Sequence, residues 1–190
     1  INAFAPGVPV AFTPIHLAAN PGKNPVDDAL VPGTIDVRQR GLIGAAWTLA
    51  SLKSLIQAGA ASATYYTLDG LATDAGVNPL FHVLADMSEF DYNARIDTHS
   101  FQPLALETLA LRRDQEVRWW LANMDSQPVT VTIYSLPRAV YVRALDETTY
   151  ERATREPEAF RADPGERLET EGERLTITLR PFAVARIIPA

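Results

Sequence analysis

No cysteine occurs anywhere in the chain, so disulfides and thiolate-held metals are excluded. Histidine is nearly as scarce: His16, His82 and His99 stand far apart, and no HExxH or comparable pair places two imidazoles on one helix face. No metal and no cofactor is expected. The GxSxG elbow, the GxGxxG turn and the phosphate loop are also missing, which argues against dinucleotide or phosphate binding in these residues. No apolar run approaches the roughly 20 residues of a membrane span, so no membrane partner is expected. Nothing reads as a signal peptide, which an internal piece of a longer chain would not carry; the expected location is cytoplasmic. A formal net charge of −6 without a basic stripe argues against nucleic acid as a partner.

Lysine is absent from residues 91–190, where every basic residue is arginine. Charge is also sparse before that point. Residues 1–90 hold only Lys23, Arg38, Arg40 and Lys53 against seven acids, while the rest of the 17 basic and 23 acidic residues follow. The shift marks a boundary, and we divide the chain into residues 1–92 and 93–190.

The first part is organised around Asp36 to Gly70. Leu42, Ala45, Ala46, Leu49, Leu52, Leu55 and Ile56 recur at helical spacing, and the opposite face is hardly polar, so neighbours should cover most of the helix. Asp36 with Gln39 reads as a capping box at its start, and Gly59 as a left-handed cap at its end. Ala61 to Thr67 then reads as a strand buried on both faces. Val8 to Leu17 supplies an earlier strand, Asn20 to Thr34 a long Pro- and Gly-rich loop, and Pro79 to Phe90 a further helix. Repeated strand–loop–helix units mean a parallel sheet, and two units cannot close a barrel of eight. The expected class is α/β plus all-β: the last β/α units of a (β/α)8 barrel, then an antiparallel β-sandwich. The rest of the barrel, the N-terminal half of the same polypeptide, is the expected partner, and these residues alone are expected to be inactive.

From Phe101 the period changes to two. Leu104–Leu111, Val117–Asn123, Val129–Tyr134, Ala139–Leu145, Leu175–Leu179 and Phe182–Ile188 read as strands, separated by turn signals such as Asn123 to Ser126. Glu147 to Gly172 interrupts them as a charged excursion with a short helix near Thr149–Arg155. Trp119 and Trp120 must face opposite ways, one into the core and the other onto the first domain or a loop.

In α/β architectures ligands bind at the C-terminal ends of the strands. His16 and Asn20 lie at or beyond the first such end, and Tyr65, Tyr66, Thr67 and Asp69 at the second, with His82 opening the following helix. Tyrosine faces stack on sugar carbons, while imidazole, hydroxyl and carboxylate groups bond to ligand hydroxyls. His16 titrates near neutrality and suits general acid or base work. The candidate catalytic residues are therefore His16 and Asp69; Tyr65, Tyr66, Thr67, His82 and Asn20 are candidate contacts to a small carbohydrate or sugar acid. The competing reading packs the tyrosines and His82 into the fold.

The stretches IDVRQRGLIGAAWTLASLKSLIQAGAASATYYTLDG, LFHVLADMSEF, WWLANMDSQPVTVTI and LTITLRPFAVARI together resemble the D-apionate lactonase family. The resemblance runs over most of residues 8–188 and implies a glycosidase-like barrel that opens a sugar-acid lactone. That family commonly has a glutamate after the tyrosine pair, where this chain has Thr67. A retaining glycoside hydrolase is the alternative; it needs two carboxylates about 5–5.5 Å apart, at least one of them from outside these residues. An inactive sugar-binding relative is the third.

Overall fold

A computed structural model describes residues 11–15, 40–65 and 71–190, the backbone alone at 11–15, 64 and 65. The first described unit is strand β1 (Ala11–Ile15), helix α1 (Leu42–Gln57) and strand β2 (Ser62–Tyr65). β1 and β2 pair in parallel, with Ala11 opposite Ser62 and Ile15 opposite Tyr65. The expected parallel crossover is therefore present.

α1 is covered on nearly all sides, as its composition requires: only Ser54 and Gln57 are exposed along it. It ends in a Schellman motif. Gly59 turns left-handed at φ +73°, its N–H donates to Ile56 O at 3.1 Å, and Ala60 N–H donates to Leu55 O at 3.0 Å. Its start departs from expectation. Gly41, with an extended backbone, is the N-cap, so a capping box at Asp36 does not open this helix; Asp36 and Gln39 lie outside the described residues. A second correction concerns β2. Ala61, Ser62 and Ala63 are exposed rather than buried, because among the described residues β2 has one strand beside it and no full sheet around it.

The segment expected as a loop before the next helix contains a small hairpin, β3 (Ala72–Thr73) and β4 (Gly76–Val77). Gly76 has φ +128°, and a Cβ there would sit 2.0 Å from Thr154 O, so only glycine allows this hairpin to touch the following domain. Helix α2 (Pro79–Ser88) follows, with proline in its first turn, where the missing N–H costs nothing.

The sandwich contributes strands β5 (Ala94–Ile96), β6 (Leu106–Arg113), β7 (Glu116–Asn123), β8 (Val129–Tyr134) and β9 (Ala139–Leu145). The charged excursion folds into helices α3 (Tyr150–Arg155) and α4 (Pro157–Ala162) and strand β10 (Glu166–Glu169). Strands β11 (Arg174–Leu179) and β12 (Val184–Pro189) complete it. One sheet has six strands in the order β10-β9-β12-β7-β6-β5, and the facing one pairs β11 with β8. The turn after β7 is held by Asn123, fully buried, whose amide donates to Gln127 O at 2.8 Å and Arg180 O at 2.9 Å.

Each face of the six-stranded sheet carries a core. On one, Leu121, Val140, Ala185 and Ile187 pack with Leu175 and Leu179, and Trp119, Val131 and Ile133 join them. On the other, Trp120, Leu109, Leu111 and Ala122 meet Ala45, Ala46 and Leu49 of α1 and Val83 of α2. The two tryptophans thus divide as strand alternation requires, with Trp120 on the barrel side. Lys53 of α1 adds an ion pair to Glu107 of β6 at 2.5 Å.

Candidate functional site

Because β1 and β2 run parallel, both strands end on the same side, at Ile15 and Tyr65. The candidate residues follow there in the chain. His16, Asn20, Tyr66, Thr67 and Asp69 lie outside the described residues, and Tyr65 is described in its backbone, as the last residue of β2.

His82 is placed in full. It lies in the seam between α2 and the excursion helices and is 2% exposed. Its Nε2–H donates to Ala153 O at 2.9 Å, and its ring meets Phe160 edge-on at 4.8 Å between centroids. Its surroundings are those of a packed core histidine.

Burial holds the His82 pKa below its usual value, against the hydrogen bond to Ala153; Arg161 also lowers it. Nδ1 is buried with no partner among the described residues, so a second proton would have no acceptor. Since the folded-state pKa is depressed, the unfolded chain binds the proton more readily, and stability is lost as pH falls below about 6.5. The slope from this group reaches at most about 1.4 kcal/mol per pH unit. Urea titrations between pH 7 and pH 5 should show stability falling more steeply with acid in the natural chain than in His82→Gln, which keeps a donor for Ala153 O. Identical slopes would refute it.

One buried charge cluster had no signal in the sequence. Asp86 of α2 accepts from Arg143 Nη2 at 2.8 Å on both carboxylate oxygens, with Arg161 at 3.3 Å and Arg186 at 3.5 Å. Arg161 also pairs with Glu89. The cluster joins α2 to β9, α4 and β12, so its place is structural: it locks the barrel helix that follows β2 onto the sandwich. Among the described residues no group of three or more His, Cys, Asp or Glu could hold a metal ion. No described helix is long and apolar enough to cross a membrane.

Two family models match. The D-apionate lactonase TIM barrel domain matches residues 1–91, and the D-apionate lactonase C-terminal immunoglobulin-like domain matches residues 103–187. The chain belongs to the D-apionate lactonase family. No curated protein matches it. Solved structures similar to this family member include a GH30 endoxylanase from Clostridium papyrosolvens C71, at 13% identity and TM-score 0.63, covering 96% of this chain and 42% of that one. CelM2, a bifunctional glucanase-xylanase from a metagenome library, aligns at 15% identity and TM-score 0.66, over 100% of this chain and 32% of that one. A Paenibacillus polymyxa xyloglucanase from GH family 44 aligns at 13% identity and TM-score 0.65, over 98% and 33% respectively. The lactonase-family chain thus spans less than half the length of these structures. At such identities they show its fold: barrel units followed by a β-sandwich.

Proposed function

We propose that this chain is part of a carbohydrate-active hydrolase that opens a sugar-acid lactone with activated water. The observation that carries the reading is the pair of family-model matches, barrel first and immunoglobulin-like domain second, in the order the lactonase family has them. The parallel ends of β1 and β2 support it by bringing Ile15 and Tyr65 together at one rim.

In this reading the oxygen of water bonds to the lactone carbonyl carbon and the ring C–O bond breaks. The departing ring oxygen takes up a proton, and the new acid is released as carboxylate. His16 accepts the proton of the attacking water or supplies the one the leaving oxygen needs. Asp69 holds the reacting groups in register, and Tyr65, Tyr66, Thr67 and Asn20 orient the sugar acid by stacking and hydrogen bonds. The barrel is completed by the N-terminal half of the same polypeptide. The exposure of Ala61 to Ala63 supports that, since parallel strands are ordinarily covered on both faces.

The second reading, a retaining glycoside hydrolase, is favoured by the fold shared with xylanases and a xyloglucanase. Assaying the full polypeptide on aldonolactones and aryl glycosides separates the two. Lactone opening without glycoside cleavage is expected, and the reverse result would replace the first reading by the second. Unchanged turnover in His16→Asn would remove the role given to His16.

A further inference from the structure

The two-stranded sheet of the sandwich does not reach across the sheet it faces. β8 and β11 pair only with each other among the described residues, opposite six strands. Their inward side chains, Val131, Ile133, Leu175 and Ile177, pack with residues of β7, β9, β10 and β12 and, on β6, with Leu106 at its start. Past β8 the inner face runs on towards β6 and β5, and a cavity of about 560 Å³ lies above it. Val117, Trp119, Thr108 and Ile96 form part of its floor, the irregular stretch 97–102 forms one wall, and all of β8 forms the other. No residue of β11 lines it. It therefore borders the edge of β8 that faces away from β11.

In an antiparallel strand, alternate residues direct their N–H and C=O groups to opposite sides. Half of the main-chain polar groups of β8 thus point along the edge where the cavity lies. Thr108 Oγ1, buried beneath it, also has no hydrogen-bond partner among the described residues. A floor bearing Trp119 and Val117 beside an unpaired strand edge is the surface a further β-strand would cover. A compact ligand would satisfy few of the main-chain groups spread along the six residues of β8.

We propose that a β-strand from the part of the polypeptide that completes the barrel pairs with the free edge of β8 and turns alternate apolar side chains onto Trp119. This rests on the reading that more of the same polypeptide completes the barrel. The length of the similar structures supports the source: 58% or more of each lies beyond the portion aligned to this chain, given coverages of 42%, 32% and 33%. Tethering in one polypeptide also raises the strand's effective concentration at the edge.

Residue-resolved hydrogen exchange on the full polypeptide tests it. All amides from Val129 to Tyr134 should exchange as slowly as those of the central strand β7. Alternate amides exchanging more than about 100-fold faster than their neighbours, the pattern of a bare edge, would overturn it. Protection that falls on dilution would assign the edge to a second copy, and protection seen only with added xylohexaose would assign the cavity to sugar; either overturns it. Exchange at Ser62 to Tyr65 reports separately on barrel completion. Slow exchange there with a bare β8 edge sinks this proposal alone, whereas fast exchange there sinks the reading beneath it.

Discussion

Replacing Asp86 with alanine lowers stability by about 3–5 kcal/mol, the cost of leaving buried charges unpaired. The Asp86 side chain is 8% exposed and that of Arg143 5%, so water does little for either. Without the carboxylate, the like charges of Arg143, Arg161 and Arg186 remain, each within 3.5 Å of where it stood. Arg143 cannot simply turn outward. Its Nη1 donates to Arg161 O at 2.6 Å and Phe160 O at 3.3 Å, and its guanidinium lies 5.1 Å from the centre of the Phe160 ring. Burial already pushes Arg186 down to about 10 against the opposing pull of Asp86. Urea unfolding at pH 7 checks the expectation through the shift in midpoint at constant slope. Asp86→Asn keeps the shape and removes the charge, so it should retain most of the loss; a change under about 1 kcal/mol would show that the guanidiniums find other partners. The consequence for function is positional. Asp86 fixes α2, the helix that follows the β2 rim in the chain, to three elements of the sandwich.

Local patterns made much of this architecture legible. Val129, Val131 and Ile133 alternate with Thr130, Thr132 and Tyr134, and the structure puts the first set inward. The threonines pair across the outer face, Thr130 with Thr178 at 2.9 Å and Thr132 with Thr176 at 2.8 Å. Gly59 could be placed because a helix end needs a residue tolerant of φ > 0. Short elements without alternation gave no such signal. β10 lies at a sheet edge and packs only Leu168, so Glu166–Glu169 reads as part of a charged loop. β5 has three residues, too few to show a period. The Asp86–Arg143 pair spans 57 residues, and no spacing rule singles out one carboxylate among 23 acids. His82 was ambiguous for the same reason: its partner Ala153 is 71 positions away. As for the candidate site, the sequence marks strand ends, and the parallel register of β1 and β2 puts two of those ends together. The side chains beyond them lie outside the described residues.

Trp120→Ala should cost about 3–5 kcal/mol, the range for removing a large aromatic from a packed interior. Trp120 is 1% exposed and packs against Phe90, with ring centroids 6.0 Å apart. Around it, Ala45 and Ala46 bring α1 close to the sheet, and nothing as small can grow to fill the space an indole leaves. Its Nε1 has no hydrogen-bond partner among the described residues, so truncation forfeits packing and no polar contact there. Trp119 provides the internal comparison. It sits one residue away on the opposite face, only partly buried, beside the cavity along β8. Trp119→Ala should therefore cost less, because even with the proposed strand over it Trp119 lies at the border of its core, whereas Trp120 is enclosed within the seam. Chemical unfolding of both variants in the same background decides the matter. Should Trp119→Ala prove the costlier, the main packing would lie within the sandwich rather than between sandwich and barrel helices. The expected order places it at the seam, where the same side chain that fills the core also sets how α1 and α2 are seated against the sheet.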